Sequence, residues 1–600
     1  MIIYFVSNLF GLQIINGNKY LSRSILNNYS KKVITPQRGK IYDINQNIIA
    51  DNIVRYDVLI DRSVYQVGDI LNLVEIFRGE DDFRNYVVVD ENIDIKNMEL
   101  SNEDNNAGNF LVLKGLSKEL YDKFFNKYGT TKGLVGYENW ERDYVYPYEF
   151  SSILGYLGEP DKDDLESDDL LANYKKIGKA GVEEFYNKFL VGQVGERIVF
   201  ESIEGRYDEL VIKNQKVGSS LYLTINKDWQ ILLSSLLEQQ MHESNAYGAA
   251  GVVMESKTGE MKALVSLPSF DANLFNKGLS EEDFQELLDD PKKPLLNKAI
   301  STKISPGSTI KPILALFAFN DKIIDPAYKY YSKGCEDLGT NITFCEADRV
   351  SLGEVDFSKS IYKSSNLYYC SIARLYETEY ASQDLQYVLN NFDQLGSTNL
   401  VGIDIKGEVI SSLPSLERTQ KNYGRDWSIG DMCNTFIGQG DLALTPVKML
   451  SFMSMIDNNG KIYQPHLVKQ IMNEEGELIL ENLPIEKYNF EVGNALYFDI
   501  VKGAMKKTIS ESGGSARLLS GLDKNLMVKT GSADAKEVLG NGTVLEGAHS
   551  WVVGIFEREG VSYSFAIVQF FGGRGFQTVP VIGNFINCLD NKDEKECIIY

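Results

Sequence analysis

The stretch Ile304-Ser-Pro-Gly-Ser-Thr-Ile-Lys-Pro-Ile-Leu-Ala-Leu-Phe-Ala-Phe-Asn320 decides how the rest of the chain is read. Ser308 and Lys311 are three apart, so a helix beginning here carries a hydroxyl and an amine on one face, about one turn apart. Ile313, Leu314, Leu316, Phe317 and Phe319 are apolar on nearly every face, which predicts a helix inside a domain and not on its surface. A serine becomes a nucleophile only when a base takes its proton. A lysine can be that base where desolvation or a nearby cation keeps it neutral. Pro306-Gly307 just before the serine suits a helix start, whose N–H groups and positive dipole end stabilise a developing oxyanion.

Outward from that stretch, 600 residues exceed a single core and imply two or three domains, and 43% hydrophobic content provides ample burial. A net charge of −23 argues against nucleic acid as a partner, because phosphate is gripped by clustered Lys and Arg. The six cysteines form no C-x-x-C, and the three histidines (His242, His466, His549) lie far apart, so no metal site is expected. No other cofactor is called for.

Met1 to Ile15 contains no charge and is mostly apolar, but it is short of the roughly 20 residues a membrane span needs. Residues 1–30 are read as an anchor remnant with its juxtamembrane stretch; a buried helix and a signal-peptide apolar region are the alternatives. Residues 31–220 mix strand-like runs (Tyr56 to Ile60, Tyr86 to Val89, Phe110 to Val112) with charged loops, and no helical pattern dominates. The acidic runs 79–83 and 159–169 are expected to be solvated loops. A second unit, 221–600, opens with a helical pattern from Lys227 to about His242. A hairpin follows, Gly248 to Met254 with Met261 to Leu267, turning at Lys257-Thr258-Gly259. Late strands at Leu526 to Lys529, Trp551 to Phe556 and Tyr563 to Phe571 complete its sheet. The expected architecture is α+β and multidomain, with helices between strands early and late in the segment.

S-x-x-K alone is a weak signal, and Ser360-Ile361-Tyr362-Lys363 matches it too. Serine-lysine acyl enzymes of the penicillin-recognising group combine it with an S-x-N and a K-T-G in that chain order. Ser364-Ser365-Asn366 supplies the second element, in preference to Ser397-Thr398-Asn399, which sits in a glycine-flanked turn. Lys529-Thr530-Gly531-Ser532 supplies the third, after the apolar Leu526-Met527-Val528 that places it on a sheet edge. The earlier K-T-G at Lys257 is read as scaffolding.

The resemblance extends to class B penicillin-binding proteins over about residues 8 to 580. Arg38-Gly39-Lys40-Ile41-Tyr42-Asp43 resembles their first extracytoplasmic box. Gly178-Lys179-Ala180-Gly181-Val182-Glu183 and Gly192-Gln193-Val194-Gly195 resemble the second. Ser269-Phe270-Asp271-Ala272-Asn273, Ile437-Gly438-Gln439-Gly440 with Thr445-Pro446, and His549-Ser550-Trp551 resemble further signatures in order. Leu296-Asn297-Lys298-Ala299-Ile300 and Cys335…Cys345 are similar to the elongation type, penicillin-binding protein 2. Departures are Asp43-Ile44-Asn45-Gln46 for D-R-N-G, Ser351-Leu352-Gly353 for G-H-G, and Ser532 for threonine after the K-T-G, where a hydroxyl is kept.

The resemblance implies an elongated β-rich pedestal followed by a serine β-lactamase-like domain, an antiparallel sheet flanked by helices. It implies a D,D-transpeptidase with Ser308 as nucleophile, Lys311 as base, Ser364 as proton relay and Lys529 holding their protonation states. Asn366, Thr530, Gly531 and Ser532 would bind substrate, and the backbone N–H groups of Ser308 and Ser532 would form the oxyanion hole. Expected partners are peptidoglycan stem peptides, β-lactam antibiotics, a membrane glycosyltransferase of the shape, elongation, division and sporulation type, and elongation-complex proteins. The expected location is the bacterial cell membrane, with the bulk of the chain outside. Cys335 with Cys345, and Cys588 with Cys597, are disulfides or inert thiols on this reading. Alternatives are a β-lactam hydrolase, although Gln386 stands where E-x-x-L-N would need glutamate, a β-lactam sensor, or a non-catalytic scaffold.

Overall fold

The computed structural model describes residues 29–61, 67–88, 109–201, 207–339, 343–380, 384–522, 525–540 and 542–590. The apolar segment Met1 to Ile15 and Cys597 lie outside the described residues. Among those described, no helix is long and apolar enough to cross a membrane.

In the first unit β1 (Tyr29–Ile34) pairs with β6 (Gly195–Glu201), which pairs with β7 (Tyr207–Lys213). A second sheet holds β2 (Ile41–Tyr42), the long β3 (Ile48–Asp61), β4 (Asn109–Leu116) and β5 (Leu134–Tyr144). Helices α1 (Val67–Arg78) and α2 (Lys118–Tyr128) close a small core around Phe77, Phe83 and Phe124. Neither helix was expected from the sequence. The signal was present in α2, where Ser117 accepts from the Leu120 N–H as N-cap and Leu120, Phe124 and Tyr128 recur at a spacing of four. Tyr56 to Ile60 and Phe110 to Val112 fall in β3 and β4. Tyr86 instead ends a 3₁₀ turn, and Val87 only bridges Leu113. Run 159–169 is exposed but not a plain loop: Lys162–Ser167 is helical, fixed by reciprocal capping between Asp161 and Asp164. In run 79–83, Phe83 is buried.

The second unit begins with β8 (Ser220–Leu223), α3 (Lys227–Glu243), β9 (Gly248–Glu255) and β10 (Met261–Leu267). Further on come α4 (Lys311–Asn320), α5 (Asn366–Tyr380), α6 (Ile429–Phe436), α7 (Pro446–Asp457), β11 (Val468–Met472) and β12 (Leu478–Glu481). The chain closes on β13 (Met527–Val538), β14 (Val544–Arg558), β15 (Val561–Phe570) and α8 (Val579–Asp590). The sheet runs β10-β9-β15-β14-β13, antiparallel throughout, so the last strands do complete the sheet begun by the early hairpin.

Strand periodicity divides this sheet between two cores. Val252, Met254, Val553 and Ile555 face a layer containing α4 and α7, whereas Val253, Val265, Val552 and Ile567 face α3 and α8. Helix α4 is buried from Lys311 to Phe319, as its all-round apolar sequence predicted. The layering leaves β13 as the edge of the sheet, with Lys529 to Ser532 on it.

Candidate active site

Ser308 does not lie inside an α-helix. It sits in the 3₁₀ turn Gly307–Ile310, and the α-helix begins at Lys311. Pro312 accounts for the start, since it lacks an N–H and tolerates the first turn. The turn is held from several sides. Ile304 and Leu444 exchange backbone hydrogen bonds, the Gly307 N–H donates to the Gly438 carbonyl at 2.9 Å, and Trp551 Nε1 donates to the Ser305 carbonyl at 3.1 Å. Gly307 and Gly438 have φ of +54° and +75°, and a Cβ on Gly438 would lie 2.1 Å from the Gly307 oxygen. The Ile437-Gly438-Gln439-Gly440 segment is thus the backing of the serine turn. A Cβ on Gly307 would meet Ser532, and one on Gly531 would meet Pro306 and Thr309, so β13 and the serine turn lie face to face.

Lys311 is fully buried. Its Nζ donates to the Ser364 carbonyl at 2.7 Å and to Asn366 Oδ1 at 2.8 Å, with Ser364 Oγ at 3.5 Å. Burial pushes this amine down to about 7, opposed by attraction to Glu346. A neutral amine has two hydrogens; both are used on those oxygens, which leaves its lone pair for a proton. Lys529, also buried, donates to Ser364 Oγ at 2.9 Å and to the Thr530 carbonyl at 2.8 Å. Burial, and then the nearby Lys311, holds its amine well below the usual range. Two lysines therefore converge on one hydroxyl, and Lys311 discourages the charge on Lys529.

Ser364 has φ of +56°, a left-handed conformation in a non-glycine residue, and it lies between the buried ends of both lysines. The S-x-N segment is the turn into α5: Ser365 Oγ accepts from the Tyr368 N–H. Thr530 is buried and Ser532 exposed on β13. Ser532 Oγ accepts from the Gly575 N–H at 2.8 Å, so its own proton stays available to a ligand. Ser308, Lys311, Ser364, Asn366 and Lys529 to Ser532, distant in sequence, lie on three segments that adjoin: the serine turn, the α5 turn and the sheet edge. By contrast Ser360 is buried with its hydroxyl on the Phe357 carbonyl, Ser397 is buried in its own turn, and Lys257-Thr258-Gly259 turns the β9–β10 hairpin.

Several supporting groups went unread in the sequence. Glu346, just after Cys345, is buried and accepts from Ser332 Oγ, Ser365 Oγ and the Asn366 N–H. Cys370 on α5 is disulfide-bonded to Cys433 on α6, tying the S-x-N helix to the helix that leads into Gly438. The Cys335–Cys345 pairing is present. His549 accepts the Phe571 N–H at Nδ1, and burial lowers its pKa to about 4, which keeps the ring neutral as a structural piece of β14. In the first unit Arg38 and Arg142 both bind the buried Glu183 carboxylate, at 2.6 and 2.8 Å, linking the two N-terminal boxes.

The family model for the penicillin-binding protein transpeptidase domain matches residues 249–569, and that for the penicillin-binding protein dimerisation domain matches residues 33–223. Peptidoglycan D,D-transpeptidase MrdA of Haemophilus influenzae is 30% identical over 478 residues, 78% of this chain and 69% of the relative. MrdA of Escherichia coli K12 is 27% identical over 554 residues, 90% and 83% of the two chains. Among solved structures, the penicillin-binding protein PBP2 of Helicobacter pylori in complex with MreC superposes with a TM-score of 0.76 at 23% identity, covering 94% of this chain and 99% of that one. PBP2 of Pseudomonas aeruginosa in complex with WCK 5153 gives 0.67 at 21% identity, covering 94% and 98%. With fold, motif order and relatives in agreement, the chain belongs to the family of penicillin-binding protein transpeptidases.

Proposed function

We propose that this chain is a peptidoglycan D,D-transpeptidase that cross-links stem peptides through a serine acyl-enzyme in cell-wall elongation, and that β-lactams inhibit it covalently. The observation that carries this reading is the buried, charge-depleted Lys311, with both hydrogens engaged by the S-x-N turn at the foot of the serine turn. Ser308 Oγ attacks the carbonyl of the penultimate D-Ala while Lys311 takes its proton. The C–N bond then breaks, and the proton passes by way of Ser364 to the departing D-Ala amine. Lys529 holds Ser364 by its hydrogen bond. An amine of a second stem attacks the ester, and Ser308 regains its proton. Asn366 binds the substrate's peptide amide, and the Thr530 and Ser532 hydroxyls receive the terminal carboxylate beside Gly531. The backbone N–H groups of Ser308 and Ser532 stabilise the oxyanion, where losing one donor costs about 3 kcal/mol.

Residues 31–220 act as the pedestal and 221–600 as the transpeptidase domain. The protein works at the bacterial membrane with its bulk outside, alongside elongation-complex proteins and a membrane glycosyltransferase of the shape, elongation, division and sporulation type. The test is a fluorescent penicillin followed by intact mass over hours. A persistent adduct on the wild type, absent from Ser308→Ala, is expected. Rapid loss with product would make it a hydrolase, and no adduct a scaffold.

A further inference from the structure

The S-x-N turn is held from two directions, by the helix it ends and by a carboxylate beyond it. Ser364 holds a left-handed φ of +56° just past helix Phe357–Tyr362, where the Ser365 N–H donates to the Ser360 carbonyl and the Ser364 N–H to the Ile361 carbonyl. The two residues after it are held in addition by one carboxylate. Glu346 Oε1 accepts from Ser365 Oγ at 2.6 Å and from Ser332 Oγ at 2.9 Å, and Oε2 accepts from the Asn366 N–H at 2.6 Å. A carboxylate on the first N–H of α5 also opposes the positive end of that helix.

The hairpin that carries Glu346 is anchored on its own account. Strands Cys335–Asp337 and Thr343–Cys345 pair, the Cys335–Cys345 disulfide joins them, and the Glu346 N–H donates to the Gly334 carbonyl. The Cys345 carbonyl accepts from Asn366 Nδ2 at 3.2 Å, while Asn366 Oδ1 accepts from Lys311. The Asn366 amide is therefore spanned between the hairpin and the base.

We infer that Glu346 is a positioning residue of the acylation step: its carboxylate fixes Ser364 and Asn366 against Lys311 and supplies the negative charge that this lysine faces. This rests on the transpeptidase reading above. Lys311 faces few other charges. Lys529 approaches from β13, the Tyr369 ring lies 5.4 Å away on α5, and Ser364 and Asn366 are neutral. Asp348, on the same turn as Glu346, is exposed and paired with Arg574 at 3.2 Å. Glu346 is the attraction that partly offsets the burial of Lys311. Removing its charge alone lowers the pH at which the lysine sheds its proton; removing its oxygens as well frees the turn.

The test measures acylation by a fluorescent penicillin from pH 5.5 to 9 in wild type, Glu346→Gln and Glu346→Ala. Wild-type labelling reads the transpeptidase assignment, and the ratio of variant to wild type reads the present one. Glu346→Gln keeps the shape and should retain most of the plateau rate, with its acidic limb moved to lower pH by about half a unit or more. Glu346→Ala should lose about tenfold or more at the plateau. Glu346→Ala within about threefold of wild type at every pH overturns the proposal. So does a Glu346→Gln that reproduces both the wild-type rate and its limb, since a merely structural carboxylate would leave the limb in place; that arm decides the matter if the alanine variant does not fold. A wild type that takes no label overturns both readings.

Discussion

Replacing Lys311 with methionine tests the premise of the whole site, a neutral lysine, without measuring catalysis. The lysine falls from its ordinary 10.5 to about 7 in the fold, which at 1.36 kcal/mol per pH unit corresponds to about 5 kcal/mol. The group is fully buried, so solvent screening does not reduce that figure. Below pH 7 both folded and unfolded chains carry the proton, and the burial penalty is present in full. Between about 7 and 10.5 the unfolded chain binds the proton and the folded chain does not, so wild-type stability rises with pH by up to about 1.4 kcal/mol per unit. Methionine has no such penalty. Its loss of the bonds to the Ser364 carbonyl and Asn366 Oδ1 adds an offset that does not vary with pH. Lys529, relieved of its neighbour, titrates closer to its ordinary range, which changes the comparison in the same direction. Measured by urea unfolding followed through tryptophan fluorescence at constant salt, wild type should gain on Lys311→Met by about 2 kcal/mol between pH 7.5 and 9. A difference that stays flat within about 0.5 kcal/mol refutes the neutral lysine, because an ammonium held throughout that range gives no such slope.

Gly438→Ala places a methyl 2.1 Å from the Gly307 oxygen at a φ of +75°, so the serine turn must shift; stability should fall by about 1–3 kcal/mol in urea unfolding and penicillin acylation of the folded protein about a hundredfold. Glu183→Leu strands the Arg38 and Arg142 guanidiniums in a buried space. It should cost about 3–5 kcal/mol in urea unfolding, and a cost below about 1 would mean the cluster is hydrated and not buried as described.

What could be read from sequence was what repeats a local rule. The all-round apolar run after Lys311 announced a buried helix, and the short apolar runs of β9, β10, β14 and β15 announced strands. The candidate site residues could be picked out because three short motifs occur in a fixed order. Ser360 and Lys257, which match the same motifs, were set aside by position alone; in the fold the Ser360 hydroxyl is spent on the Phe357 carbonyl and Lys257 turns a hairpin. The supporting groups were not legible. Glu346 is one acid among 84 acidic residues, and its partners Ser332 and Ser365 come from different strands and turns, so only the folded path of the chain singles it out. The Cys370–Cys433 bond spans 63 residues and joins two helices whose contact no local spacing encodes. Helices α1 and α2 were missed for another reason. Short amphipathic turns amid charged residues were read as loops although the Ser117 cap was in view.

Strand β8 has a neighbour on each side: β2 in parallel, with Leu221 opposite Ile41, and β11 antiparallel, with Leu221 opposite Ile471. One continuous ladder of amide bonds thus runs from β3 through β8 into β11 and β12, from one matched family segment into the other. Thr224 and Lys227 add further stitches, to the Met261 and His466 carbonyls and to Asp43. A cut in the connecting chain would leave the two halves fastened, and twisting one against the other would have to shear backbone hydrogen bonds. A load applied to the pedestal therefore reaches the catalytic half as it would through a beam, and not through a tether.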